Sequence, residues 1–339
     1  GYDIKPDINK AIYYMQRAAD QNFPQAINFL GLIYHEGKYI SKDINKAIAY
    51  YTYAANLNDI EAQNNLGLIF SSEEDNELNI KKAIYYFELA ANQGHLKALN
   101  NLGQIYLEGK YIDVDIKKAI HYFTIAANSN FLPAIYNLGF IYYKGKGIKR
   151  DINKSIEYFT RAANQNHINS QYSLGRIYYD GIYIERNIDK AIYYLALAAN
   201  QQDKRAQFIL GSFYYDGILA ERDINKAIYY FSLSAQQNFK EALTNLGNIY
   251  YEGKYIKQDI KKAIHYLELA AKINDQNALN ILGIIYYEGK HVTRNIDKSL
   301  YYFNLAIKLN DSNAYNNLGV IYEKGIYVPR DIAKAIYYF

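Results

Sequence analysis

The segment DIKKAIHYFTIAANSNFLPAIYNLGFIYYKG, residues 115–145, is one copy of a pattern that recurs along the whole chain. Its opening tetrad is Asp or Asn, then Ile, any residue and Lys, and it returns every 36 residues without insertion or deletion. A fixed period of this length is typical of proteins built from stacked structural repeats. We therefore predict a single array over residues 1–339, of about nine repeats with partial repeats at both ends. The tetrads begin at Asp7, Asp43, Asn79, Asp115, Asp151, Asn187, Asp223, Asp259, Asn295 and Asp331.

The first half of the segment predicts an amphipathic helix. Asp115 suits the N-cap, where its carboxylate accepts hydrogen bonds from free amides of the first turn. Ile116, Ala119 and Phe123 then follow at helical spacings and form a stripe that faces the core. We expect this helix to end at Asn130, because Asn readily adopts the left-handed conformation of a helix C-terminus.

The second half predicts another helix, which contains a Leu-Gly pair in every repeat. In this copy the pair is Leu138-Gly139, and the helix ends at Gly145. A glycine inside a helix costs about 0.5–1 kcal/mol relative to alanine. We therefore expect Gly139 to allow close packing of two backbones. The connection at residues 71–75 lacks the usual glycine, and we expect it to be the most mobile.

Composition excludes several classes of protein. The chain has no cysteine, which excludes disulfides, thiolate nucleophiles and cysteine-based metal sites. The formal net charge is +4, and the sequence contains no run of like charges, so we do not expect nucleic-acid binding. No apolar run reaches the roughly 18 residues of a membrane span. The cellular compartment stays open, and the first residue is not Met, so we expect the chain to be part of a longer one.

No pattern of catalytic residues stands out. The six histidines are scattered, without a short metal-ligand spacing. Acidic residues lie mainly at helix ends, too dispersed for a pair of catalytic carboxylates. We predict no enzymatic activity, no metal and no cofactor.

The motifs now described resemble the Sel1-like repeat, a relative of the tetratricopeptide repeat. The matching pattern is A-x-x-x-L-G-x-I-Y, then x-G-K-x-I, then D-I-x-K-A-I-x-Y-Y/F-x-x-A-A, and it covers essentially the entire chain. The tetratricopeptide repeat itself has a 34-residue period, which does not fit. The resemblance implies an all-α fold, a right-handed α/α superhelical solenoid of 36-residue helix-turn-helix repeats, with a concave groove used mainly for protein binding.

One position of the repeat is tyrosine throughout the chain, and its place in the helix indicates a role in packing. Tyr50 and its equivalents recur in every repeat beside the core stripe, so we interpret them as packing residues. Lys46 stands four residues earlier, and we expect its methylene stem to lie over the Tyr50 ring.

A candidate binding surface lies on the exposed face of the Leu-Gly helix, which the resemblance places on the concave side. Five successive repeats have a tyrosine at the same position of this helix. These residues, here called the tyrosine row, are Tyr143, Tyr179, Tyr215, Tyr251 and Tyr287. Large exposed aromatic groups that folding does not require mark recognition surfaces. The alternative is that neighbouring helices cover them. The other predicted contacts on this face are Tyr136, Phe140, Tyr172, Arg176, Phe208 and Asn248.

A recurring asparagine flanks this face. Asn101, Asn137 and Asn245 share one slot, and a side-chain amide there could hold the backbone of a bound segment through its donor and acceptor. The alternative is an asparagine that is solvated or hydrogen-bonded locally.

These observations predict a non-enzymatic scaffold or adaptor that binds a peptide segment or partner helix along the groove. Two other functions remain open. Phe339 lies only nine residues into a first helix, so apolar stacking faces at the ends would favour end-to-end self-association into a structural array. Rows of aromatic residues also stack on sugar rings, as in carbohydrate-binding modules.

Overall fold

The structure, a computed structural model, describes residues 7–72, 76–218 and 221–339. These ranges contain nineteen α-helices and no strand, which confirms the predicted all-α solenoid of 36-residue helix-turn-helix repeats. The expectation for the connection at residues 71–75 falls on 73–75, outside the described residues. The helices are α1 Ile8–Ala19, α2 Pro24–Glu36, α3 Ile44–Asn56, α4 Ile60–Ser72, α5 Glu77–Asn92, α6 Leu96–Glu108, α7 Ile116–Asn128, α8 Leu132–Lys144, α9 Ile152–Ala163, α10 Ile168–Asp180, α11 Ile188–Asn200, α12 Lys204–Asp216, α13 Ile224–Ala235, α14 Lys240–Glu252, α15 Ile260–Lys272, α16 Gln276–Glu288, α17 Ile296–Lys308, α18 Ser312–Lys324 and α19 Ile332–Tyr338.

Two kinds of helix alternate along the chain. The odd-numbered helices follow the tetrads and are called tetrad helices, and the even-numbered ones carry the Leu-Gly pairs and are called Leu-Gly helices. The chain divides into two compact units, Gly1–Gln165 and Asn166–Phe339. Within each unit every helix packs against the next one in the chain. A Leu-Gly helix contacts the tetrad helix after it more extensively than the one before it.

The predicted N-caps are confirmed for nine of the ten tetrads. The Asp115 carboxylate, for example, accepts a hydrogen bond from the backbone amide of Lys118 at 2.9 Å. The prediction for Asn79 is wrong, because α5 begins earlier and is capped by Asn76, which accepts from the Asn79 amide at 2.8 Å. Asn76 stands where most repeats have an apolar loop residue such as Ile112. That substitution supplies a capping side chain three residues before the tetrad.

The predicted helix ends are also confirmed. Asn130 follows the first helix of its repeat with a φ of 62°, and Gly145 ends the second with a φ of 64°. Gln202, in the same slot as Asn130, adopts a φ of 66°. The left-handed conformation is therefore imposed by the repeat geometry, even on a side chain that adopts it less readily than asparagine.

The Leu-Gly glycines face an aromatic or leucine side chain rather than a second backbone. A Cβ added at Gly139 would lie 2.7 Å from the ring of Phe159, and one at Gly211 would lie 2.7 Å from the ring of Phe231. The expected backbone-to-backbone packing is therefore corrected to ring-on-backbone packing. Phe231 is fully buried in this position. Because the ring takes the space that a Cβ would need, glycine is retained despite its cost to the helix.

The lysines of the tetrads lie over a different tyrosine from the one expected. Tyr50 stacks nearly parallel on Tyr34 of the preceding Leu-Gly helix, with ring centroids 5.6 Å apart. The Lys46 ammonium lies 5.2 Å from the centroid of the Tyr34 ring. The prediction that Lys46 covers Tyr50 is therefore corrected, whereas the interpretation of Tyr50 as a packing residue is confirmed. The ring quadrupole attracts the ammonium, so each such lysine ties two helices together.

Candidate functional site

The tyrosine row of the second unit lies near the C-terminal ends of four Leu-Gly helices. Tyr179, Tyr215, Tyr251 and Tyr287 are each followed by one more helical residue and then by the glycine that ends the helix. All four side chains are half-buried. Part of each ring is therefore exposed to solvent, and the remainder packs against neighbouring residues.

Loop residues hold these tyrosines in place. The Arg222 side chain donates from Nε to the carbonyl oxygen of Tyr215 at 2.5 Å. Its guanidinium also lies 4.3 Å from the ring centroid of Tyr255, in the loop of the next repeat. The Tyr215 and Tyr255 rings meet edge to face, with centroids 6.0 Å apart and planes at 83°. Such aromatic pairs contribute about 0.5–1.5 kcal/mol beyond their buried area, so the ring is pre-positioned.

The same arrangement recurs two repeats further on. Arg294 donates from Nε to the Tyr287 carbonyl oxygen at 3.0 Å, and its guanidinium lies 3.9 Å from the Tyr327 ring centroid. Tyr287 and Tyr327 have ring centroids 5.6 Å apart and planes at 75°. The sequence prediction did not include these loop residues. Their signal is a tyrosine one residue before the loop anchor in alternate repeats, as at Tyr183, Tyr255 and Tyr327.

At the start of the second unit, a charged pair accompanies the tyrosine row. Tyr179 packs on Phe213, with ring centroids 4.7 Å apart, and the Arg186 guanidinium lies 4.7 Å from its ring centroid. Arg176 forms an ion pair with Asp180 at 3.0 Å. Arg176, Tyr179, Asp180 and Arg186, with Ile182, line an open depression of about 360 Å³. Arginine and aromatic side chains are both enriched at protein interfaces, so this depression suits a partner surface that has polar and apolar groups.

Two other predicted contacts are occupied by packing. The Arg205 guanidinium lies 4.1 Å from the Tyr172 ring centroid. Phe208 lies 5.7 Å from Phe231 and 5.3 Å from Phe239, measured between ring centroids. Both Tyr172 and Phe208 are half-buried, so less of each ring is left for a ligand than the helical pattern implied.

The first unit carries its own cluster of predicted residues on α8. Tyr136 is half-buried, with its ring centroid 5.5 Å from that of Phe159 and 6.4 Å from that of Phe140. Phe140 is the more exposed of the α8 rings, at 39%. The Lys144 ammonium lies 5.4 Å from the Phe140 ring centroid and 5.9 Å from that of Tyr143. This cluster is mixed, with an apolar surface beside a cation.

The predicted asparagines differ in their surroundings. Asn137 donates from Nδ2 to the side-chain Oδ1 of Asn100 at 3.0 Å, and Asn317, at the same position of a later repeat, donates to Asn280 Oδ1 at 2.8 Å. These bonds join successive repeats and occupy the amide that a bound segment would need. Asn245 is half-buried, and Asn101 lines a cavity. The side-chain Oδ1 of Asn248 is buried, and within the described residues it has no hydrogen-bond partner.

Burial makes the hydroxyl groups of Tyr215 and Tyr251 harder to ionise, because it raises the pKa of each. It raises the pKa of Tyr215, and the nearby Glu252 carboxylate raises it further. The pKa of Tyr251 is raised in the same way, first by burial and then by Glu288. The hydroxyl groups therefore stay protonated at neutral pH and act as hydrogen-bond donors.

Among residues 7–72, 76–218 and 221–339 there is no cluster of three or more His, Asp or Glu side chains that could hold a metal ion. Across the same part of the chain, no helix combines the length and the apolar character that crossing a bilayer requires.

Comparison with known proteins identifies the repeat. The model of the Sel1 repeat matches ten successive segments: 1–23, 24–59, 60–95, 96–131, 132–167, 168–203, 204–239, 240–275, 276–311 and 312–339. The chain belongs to the Sel1 repeat family. Proteins built from Sel1 repeats are generally protein-interaction scaffolds. No curated protein was found to be similar to the chain.

Solved structures of Sel1 repeat proteins share the fold. One is c5321, a protective antigen of uropathogenic Escherichia coli strains with an SLR fold. It is 26% identical, with a TM-score of 0.72 over 100% of this chain and 72% of that one. Another is a Sel1 repeat protein from Oxalobacter formigenes, 27% identical, with a TM-score of 0.70 over 86% of this chain and 85% of that one. The resemblance stated from the sequence motifs is confirmed.

A second set of aromatic residues on these Sel1 repeats was missed by the sequence prediction. Tyr85, Tyr193, Tyr229 and Tyr301 lie on tetrad helices and are 57–59% exposed, more than any member of the tyrosine row. Each lies edge-on to the stacked tyrosine that follows it, as Tyr193 does to Tyr194 at 5.0 Å. The sequence signal for these residues is the Tyr-Tyr pair in the tetrad helix, of which only the second tyrosine was interpreted.

Proposed function

We propose that this Sel1 repeat protein is a scaffold that binds an extended segment or a helix of a protein partner along its Leu-Gly helices. The site in the second unit is the row Tyr179, Tyr215, Tyr251 and Tyr287, with Arg176 and Asn248 supplying orientation. The observation that carries the proposal is that loop residues contact the rings of Tyr179, Tyr215 and Tyr287 while part of each ring stays exposed. Rings that are already ordered lose little conformational entropy on binding.

The partner contacts follow from this chemistry. Each half-buried tyrosine offers an apolar ring face and a protonated hydroxyl, a combination enriched at protein interfaces. Asn248 lies one turn before Tyr251 on α14, and we propose that its side-chain amide nitrogen donates to a backbone carbonyl oxygen of the partner. We propose that the α8 cluster of Tyr136, Phe140 and Tyr143 makes equivalent contacts in the first unit.

The exposed tyrosines of the tetrad helices are the competing surface. Their row is interrupted by His121, Glu157 and His265, whereas the position of the tyrosine row is tyrosine in every repeat from Tyr143 to Tyr287. Regular spacing along successive repeats favours the Leu-Gly helices for an extended partner, which would meet the same contact in each repeat.

Paired substitutions in the same two repeats distinguish the surfaces. We expect Tyr179→Ala with Tyr215→Ala to weaken binding of a partner purified from cell extract by at least tenfold, because interface tyrosines are commonly energetic anchors. Calorimetry would measure the dissociation constant. The matched control, Tyr193→Ala with Tyr229→Ala, removes two tyrosines from tetrad helices and should change it less than twofold. Circular dichroism checks that both variants fold. Weaker binding in the control pair alone would refute the assignment.

A further inference from the structure

A cavity of about 220 Å³ opens in the first unit between α4, α5, α6 and the loop that precedes α7. The apolar part of its lining includes Ile80 and Ile105, and the polar part includes Ser71, Asn101 and Glu108. Tyr111 of the loop forms another wall. An engineered apolar cavity of about 150 Å³ is large enough to bind benzene, so this one has room for an aromatic ring.

The repeat alignment explains why the cavity exists. Ser71 occupies the slot of the tyrosine row, and Tyr111 occupies the slot of the loop tyrosines Tyr255 and Tyr327. In the second unit these two slots hold the edge-to-face pairs Tyr215–Tyr255 and Tyr287–Tyr327, at 6.0 Å and 5.6 Å. Serine is much smaller than tyrosine. The space beside Tyr111 is therefore the space that a phenol ring fills four and six repeats further along the chain.

The neighbouring slots are altered in the same repeat. Leu78 stands where Arg222 lies over Tyr255 and Arg294 lies over Tyr327. Leu78 is 62% exposed. In this repeat Ser71 and Leu78 thus stand where a tyrosine and an arginine contact the loop tyrosine elsewhere, and the Lys110 ammonium lies 5.1 Å from the Tyr111 ring centroid.

The polar end of the missing ring also has a counterpart. Glu108 occupies the slot of Glu252, whose charge acts on the Tyr215 phenol. Glu108 lines the cavity, where it accepts a hydrogen bond from Gln104 at 2.5 Å. A carboxylate is a strong acceptor for a phenolic hydroxyl. The cavity therefore matches a tyrosine side chain at both its aromatic and its hydroxyl end.

We propose that this cavity binds a tyrosine side chain of the protein partner, with the ring edge-on to Tyr111 and the hydroxyl toward Glu108. In this repeat the partner's ring would take the place that a tyrosine of the scaffold fills in the repeats of the tyrosine row. The identity of the donor rests on the proposed scaffold function, whereas the affinity for a phenol ring is testable without any partner.

Titration with p-cresol, the side-chain analogue of tyrosine, tests the cavity directly. In protein with labelled isoleucine methyl groups, we expect saturable NMR shifts at Ile80 and Ile105. Ser71→Tyr fills the cavity in cis and should weaken p-cresol binding at least tenfold without lowering the melting temperature. The matched control, Glu323→Tyr, adds the same ring in the same slot of a distant repeat and should leave binding unchanged. The saturated analogue 4-methylcyclohexanol should bind at least threefold more weakly than p-cresol.

Three results would overturn the site: no saturable shift at Ile80 and Ile105, undiminished p-cresol binding by Ser71→Tyr, or equal affinity for the saturated analogue. The partner supplies the second arm, since Ser71→Tyr should weaken its binding as well. Unchanged partner affinity in a variant that excludes p-cresol would refute the partner's tyrosine as the occupant. That outcome leaves the second-unit row intact, whereas failure of the Tyr179 and Tyr215 substitutions leaves the cavity intact, so the two proposals fail separately.

Discussion

Replacing Phe231 with Ala should lower the free energy of unfolding by about 3–5 kcal/mol, the usual cost of removing a buried phenylalanine ring. Phe231 is completely buried on Gly211, and Phe208 packs against it from the preceding Leu-Gly helix. The ring thus joins two helices that are separated by a turn. Stability of such proteins is typically about 5–15 kcal/mol, so the loss is a large share of it. Urea denaturation followed by circular dichroism would measure the change.

The matched control is Tyr229→Ala, two residues earlier on the same helix. Tyr229 is 58% exposed, so its removal should change the free energy of unfolding by less than about 1 kcal/mol. Similar losses for the two variants would contradict the assignment of Phe231 to the core and Tyr229 to the surface.

Gly211→Val should be destabilising, by about 3 kcal/mol. A Cβ at this position would lie 2.7 Å from the Phe231 ring, and valine adds two further methyl groups. Overpacking of a core costs about 1–3 kcal/mol, or more where the neighbour cannot move. The gain in helix propensity on replacing glycine is below about 1 kcal/mol and does not offset this.

A double-mutant cycle tests the cause. In the Phe231→Ala background the ring is absent, so Gly211→Val should cost at least about 1 kcal/mol less than in the wild-type protein. Chemical denaturation of all four proteins gives the coupling. Additive losses would mean that the glycine is required for something other than the ring above it.

Local features of this fold were predictable from the sequence because they depend on residues close together in the chain. The period is visible directly in the sequence. The cap at Asp115 and the left-handed conformation of Asn130 each depend on residues within about one helical turn. The one failed cap, at Asn79, arose because Asn76 offered an equally good capping side chain three residues earlier. Competition between adjacent caps is decided by the whole loop and not by the tetrad.

Features that depend on packing between helices were less predictable. Lys46 lies over Tyr34 and not Tyr50, because the two helices meet at an angle that no spacing within one helix reveals. Similarly, the bond from Asn137 to Asn100 joins successive repeats, and nothing in either residue's own helix indicates it. The exposed Tyr193 was overlooked because its neighbour Tyr194 occupies the more regular slot.

The exposure of the tyrosine row was not predicted correctly. The tyrosines of the row lie on the Leu-Gly helices as the pattern indicated. Loop residues such as Arg222 and Tyr255 reach back over them and leave the rings half-buried. Because these loop residues come from the same and the following repeat, their contribution appears only when the repeats are stacked.

The most direct test of partner binding on the Leu-Gly helices is the footprint of the bound partner in hydrogen–deuterium exchange. Our account predicts slower amide exchange, on addition of the partner, at the C-terminal ends of α10, α12 and α14. The tetrad helices α11 and α13 should exchange as in the free protein. Protection confined to α11 and α13, with no change in α10, α12 and α14, would contradict it.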